Sequence, residues 1–191
     1  MRNELVKNRG QIWVETVIYT LIGLALIGIV LAIATPKINE TKDKIVVEQS
    51  IQSLSALDDK ILETLDWGQN NVRVAEFTMR RGELLIDPQI DQIIFTLSDL
   101  KKPYSEPGVS IAYGRILILT EQNQKTSSVK LMLNYSGIAN ITYQNEEVPK
   151  LFNSATIPYK FFIRNKPNLN SSETDFVQLD IEEFASRPGD A

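Results

Sequence analysis

The residues whose types and grouping first suggest chemistry are acidic. Asp58, Asp59, Glu63 and Asp66 lie close together, and Asp87, Asp91 and Asp99 form a second group. Clustered carboxylates can ligate calcium or divide acid and base roles between them. Neither group reproduces the glycine-containing, Asp-rich loop of an EF-hand, and carboxylates spaced along a helix ordinarily form a solvated face. The 191-residue chain contains no histidine and no cysteine. Imidazole bases, thiol nucleophiles, disulfides and the usual zinc, copper and haem ligand sets are therefore missing. No Gly-x-Ser-x-Gly elbow or phosphate-cradling glycine loop occurs, and serine without a base partner is not a nucleophile. The formal net charge of -4, without basic runs interleaved with aromatics, leaves no footprint for nucleic acid. The expectation is a protein that is no enzyme and has no metal, cofactor or nucleic-acid partner, its outer domain serving as a surface.

Two further patterns carry specific chemistry. Asn39-Glu-Thr41, Asn134-Tyr-Ser136, Asn140-Ile-Thr142 and Asn170-Ser-Ser172 match the N-glycosylation acceptor pattern. Asn39 lies closest to a hydrophobic run and is the weakest of the four; Asn134 and Asn140 are expected to flank one hairpin. At the N-terminus, Lys7-Asn8-Arg9-Gly10 precedes Gln11-Ile12-Trp13-Val14-Glu15, and an uncharged apolar run then extends from Val17 to Ala34. A carboxylate at the edge of such a run is retained mainly where it finds a partner, or where the helix N-terminal dipole favours it at headgroup level.

This junction resembles the class III signal peptide of type IV pilins and archaellins, in the archaeal style. The resemblance covers about residues 7–38. It implies cleavage by a prepilin peptidase on the cytoplasmic side, between Gly10 and Gln11, with Lys7 and Arg9 recognised by that peptidase. It also implies that Glu15 is an assembly residue whose partner is the new amine of Gln11 on a neighbouring subunit. Gln11, where bacterial pilins usually carry phenylalanine, points to archaea. The partners implied are further copies of this chain, the peptidase, the membrane and, indirectly, an assembly platform with its ATPase. The use implied is a cell-surface filament, with adhesion among its roles.

The run Val17–Ala34 covers roughly 27 Å at the rise of an α-helix, close to a bilayer hydrocarbon core of about 30 Å. Basic residues tie across it: Arg2, Lys7 and Arg9 before, Lys37, Lys42 and Lys44 after. The added amino terminus favours a cytoplasmic N-terminus, with the rest of the chain outside. Two alternatives stand beside this reading: an ordinary secretory signal cut after Ala34, and a buried core helix. Pro36 marks an expected kink or local break. From Lys37 to Asp66 there is neither Gly nor Pro, and Ile38, Ile45, Ile51, Leu54, Leu57, Ile61 and Leu65 recur at helical spacing. Trp67-Gly68 reads as the helix terminus.

Beyond it, β-branched and aromatic runs predict strands over 72–80, 90–97, 109–113, 115–120, 128–135, 139–144, 156–164 and 176–181. Ser136-Gly137 is expected to close a tight hairpin, and residues 164–175 to form a polar loop. The predicted class is α+β: a long N-terminal helix, part membrane span and part amphipathic stalk, carrying an antiparallel β-sheet or sandwich. The divisions are a leader over 1–10, a helix over 11–66, a β-rich domain over 67–185 and a tail over 186–191. A membrane-anchored binding module that never polymerises shares this architecture.

Overall fold

The computed structural model describes residues 4–167 and 177–184, with side chains from residue 13 onward. A single helix, α1, runs Glu4–Asp66. Its residues divide between two compact units, one ending at Lys42 and one beginning at Asp43. Helical assignment continues through Thr35 and Pro36, so the local break expected there is absent. The neighbouring Thr35 hydroxyl donates back to the Leu31 carbonyl at 2.7 Å. The helix ends where glycine permits it to, with Gly68 at φ +83° in the left-handed cap that other residues enter at a cost.

The second unit packs the helical residues from Asp43 onward against ten strands. They are β1 (Val72–Phe77), β2 (Glu83–Asp87), β3 (Gln92–Leu100), β4 (Ser110–Tyr113), β5 (Ile116–Gln122), β6 (Ser127–Asn134), β7 (Ala139–Tyr143), β8 (Lys150–Asn153), β9 (Tyr159–Lys166) and β10 (Val177–Glu183). One sheet has the order β1-β9-β10-β7 and the other β4-β5-β6-β3-β2-β8. Neighbours are antiparallel apart from the parallel pair β7–β10. The α+β class and the two largely antiparallel sheets agree with the sequence reading.

Both sheets bury alternate residues, as period-2 side chains on a half-covered sheet must. Ile93, Phe95 and Leu97 of β3 and Val129, Leu131 and Leu133 of β6 enter one core with Phe161 and Ile163 of β9 and Leu179 and Ile181 of β10. The helix adds Val47, Ile51, Leu54, Leu57 and Ile61. Of the predicted stripe, Ile38 and Ile45 are exposed instead. Aromatic rings meet edge-on within this core, Phe77 with Phe95 at 6.1 Å and Phe152 with Phe161 at 5.2 Å between centroids.

Three expectations are corrected. Strands β2 and β8 were not anticipated: β2 carries a continuous Leu84-Leu85-Ile86 run instead of alternation, and β8 has four residues. The strand expected from residue 156 starts at Tyr159, just after Pro158, which has no amide to give a ladder. The Ser136-Gly137 turn does form, with Ile138 N–H donating to the Tyr135 carbonyl at 2.8 Å and Gly137 at φ +78°. It joins no hairpin, because β6 and β7 belong to different sheets.

Gly82, at φ +96°, has no room for a side chain: a Cβ there would lie 2.6 Å from the Phe95 ring and 2.7 Å from the Thr96 carbonyl. Gly82→Ala is therefore expected to destabilise the β domain by at least about 2 kcal/mol, adding backbone strain to overpacking. Denaturant unfolding of the detergent-solubilised chain, followed by near-UV circular dichroism, measures this; a loss below about 0.5 kcal/mol contradicts it.

Candidate functional site

In the unit ending at Lys42 the described side chains from Val17 to Ala34 carry no charge and are mostly apolar and exposed. Trp13 is 71 % exposed and Ile33 70 %, and Leu21, Leu24, Ile27, Val30 and Leu31 are comparable. The helix is long and apolar enough to cross a membrane, and its apolar window is not buried among the described residues. Its hydroxyls turn inward: Thr20 donates to the Thr16 carbonyl at 2.8 Å, as Thr35 does to Leu31. Such back-bonding removes donors that hydrocarbon would leave unsatisfied.

Lys7, Arg9, Gly10 and Gln11 lie within α1 by their backbone. Glu15 is exposed, and the Tyr19 phenol one turn later donates to it at 3.4 Å. This intrahelical partner was not foreseen, although the four-residue spacing of a carboxylate and a phenol signals it.

Asp58 is buried, not solvated: it accepts from the Tyr135 hydroxyl at 2.7 Å and pairs with Arg115 at 3.2 Å. Burial, and then the Asp58 charge, push the Tyr135 hydroxyl far above its ordinary range. Arg115 also lies over the Tyr135 ring, 5.4 Å from its centroid, so the three side chains form one closed unit between helix and sheet. Asp87, Asp91 and Asp99 do not converge. Asp87 accepts from the Gln89 amide, Asp91 from the Ile141 amide at 2.8 Å, and Asp99 occupies a left-handed position at the bulge of β3. Among the described residues no group of three acidic side chains is placed to hold a metal.

A second buried carboxylate, Asp180, was missed entirely. It accepts from Thr142 Oγ1 and the Asn145 amide, both at 2.7 Å, and from Lys166 Nζ at 2.6 Å. The remaining polar ties are at the ends of the packed helix: Asp43 holds Arg81 at 2.7 Å and the Lys101 amide at 2.8 Å, and Glu63 holds Arg73 at 2.9 Å.

The glycosylation acceptors differ in setting. Asn134 is exposed at the end of β6 and caps a turn, accepting from the Ser136 amide at 2.9 Å. Asn140 lies in β7, and the hydroxyl of its Thr142 is buried on Asp180. Asn39 is exposed but helical, with Thr41 bonded to the Lys37 carbonyl. Asn170 lies outside the described residues, as do most of the expected polar loop and the tail.

No protein-family model, curated protein or solved structure matches the chain.

Asp58→Ala is expected to cost about 3–5 kcal/mol, since it leaves Arg115 and the Tyr135 hydroxyl without their buried partner. The double variant Asp58→Ala with Tyr135→Phe should lose clearly less than the sum of the two single losses. Additive losses in equilibrium unfolding would show that the two groups are not coupled.

Proposed function

We propose that the chain is a structural subunit of a type IV pilus-like surface filament. Helix α1 holds it in the membrane first and packs against the helices of other subunits after export. The observation that carries this reading is the uncharged apolar stretch of α1 from Val17 to Ala34, which is not buried among the described residues. Such a surface needs lipid or other apolar helices. The Arg9-Gly10/Gln11 junction with Glu15 supports the second of these environments as well as the first.

In this reading prepilin peptidase, guided by Lys7 and Arg9, cuts between Gly10 and Gln11. Glu15 exchanges its Tyr19 contact for the Gln11 amine of a neighbour, drawing two opposite charges together in a medium of low dielectric. The N-terminus faces the cytoplasm, and the β domain becomes the outer surface of the filament.

Mass spectrometry of the mature protein should find Gln11 as the first residue. Glu15→Ala should be processed normally yet yield few or no filaments in electron micrographs of sheared surface material. A mature chain starting at Thr35 or retaining Met1 overturns the proposal. Normal filaments from Glu15→Ala overturn the role given to that carboxylate, and processed monomers with no filaments in the unmutated strain favour a tethered binding module.

Among the three acceptors within the described residues, glycan occupancy is expected at Asn134, where an exposed asparagine heads a turn. Asn140 and Asn39 should be unmodified. Glycopeptide mapping checks this, and occupied Asn140 with bare Asn134 contradicts it.

A further inference from the structure

The chain has no cysteine, so no disulfide can brace its outer domain. One cluster offers another covalent link. Lys166 ends β9, Asp180 lies in the adjacent β10, and Asn145 follows β7, the parallel neighbour of β10 on its other side. The Lys166 amine lies directly against the Asn145 side-chain carbonyl oxygen and 2.6 Å from Asp180 Oδ2. Asp180 is completely buried and the Lys166 side chain is 21 % exposed. The other Asp180 oxygen is fixed by Thr142 Oγ1 and by the amide of Asn145 itself. Glu182 Oε1 stands 3.8 Å from the amine. An amine, a carboxamide and a buried carboxylate thus converge, each held by a different strand or strand end.

We propose that Lys166 and Asn145 become joined by an intramolecular isopeptide bond, with Asp180 carrying the protons. Lys166 first hands a proton to Asp180, leaving a neutral amine whose lone pair can attack. The nitrogen adds to Asn145 Cγ, and the new C–N bond forms as the Cγ–Nδ2 bond breaks. Asp180 gives its proton to the departing nitrogen and takes up the proton lost by the attacking amine, so that ammonia leaves and the carboxyl is left protonated, to equilibrate with solvent. No oxidant or reductant is needed. Asn145 is exposed on its outer side, so the ammonia has a path to solvent.

Burial pushes the Asp180 carboxyl up, and the hydrogen bonds from Lys166, Asn145 and Thr142 outweigh it and hold the group below its ordinary range. The Asp180 carboxylate therefore rests ionised, and the reaction requires it to take up a proton first. Fixed juxtaposition compensates, since holding two reactants in an attack geometry replaces an encounter in solution. Lysine is the side chain suited to this role because its amine can be deprotonated when desolvated. The product ties β9 to the end of β7 across β10 and closes the segment from residue 145 to 166. Such a closure restricts the unfolded chain as a disulfide would.

The test is peptide mapping by tandem mass spectrometry of the full-length protein purified in detergent. The expected product is a branched peptide joining Asn145 to Lys166, lighter than its two parts by one ammonia. It should vanish in Lys166→Arg, which keeps a cation beside Asp180, and in Asn145→Ala. Asp180→Asn should leave the two side chains unlinked, with native circular dichroism verifying the fold. Separate peptides from the unmutated chain overturn the proposal. So does a Lys166–Asp180 link lighter by one water, or a loss of ammonia at Asn145 that persists in Lys166→Arg and marks a succinimide. A full link in Asp180→Asn overturns the role given to the carboxylate.

Discussion

An α-helix satisfies its own backbone, so what it requires of its surroundings is decided by its side chains. Between Val17 and Ala34 those side chains are uncharged and almost all apolar, and the described residues do not bury them. From Asp43 onward the same helix changes pattern: one face enters a core with two sheets and the other carries Lys44, Glu48, Gln52 and Asp59 to solvent. The change in pattern coincides with the division of the chain into two compact units. The upper residues complete a domain, and the lower ones remain incomplete until some apolar medium surrounds them. That constraint is what gives the N-terminal junction its significance, because a peptidase site at Gly10 would leave the incomplete surface attached to the product.

The helix, its glycine terminus and the half-buried strands were legible because each rests on local information: an absence of breakers, a residue that tolerates positive φ, an alternation of period two. The errors have equally physical origins. Strand β2 carries apolar residues toward both faces, Leu84 and Ile86 inward and Leu85 outward, so no alternation announces it. The turn at Ser136-Gly137 was read correctly as a turn, but turn chemistry does not specify whether the chain returns to the same sheet. Asp58 was assigned to a solvated face although it occupies a core position between Leu54 and Ile61. Its partner Tyr135 is 77 positions away, and no window of sequence contains both. The Asp180 cluster draws on β10, the end of β9 and the end of β7 with the turn after it, and was invisible for the same reason.

The two buried carboxylates also bear on why this sequence adopts one arrangement. Hydrophobic burial is non-directional, and a helix with a regular apolar stripe could be seated against a sheet in more than one register. Asp58 cannot. Moved by one turn, it would face Leu54 or Ile61 contacts and lose both Arg115 and the Tyr135 hydroxyl, and an unpaired buried carboxylate costs several kcal/mol. A buried ion pair is often worth little net stability against an apolar substitute, because desolvation offsets attraction. Its consequence here is for specificity: Asp58, with Asp43 and Glu63 at the helix ends, penalises the alternative registers that the leucines and isoleucines alone would tolerate. The β domain thereby keeps a fixed seat on the helical residues from Asp43 onward, which any use of the preceding helix as an anchor or a packing surface requires.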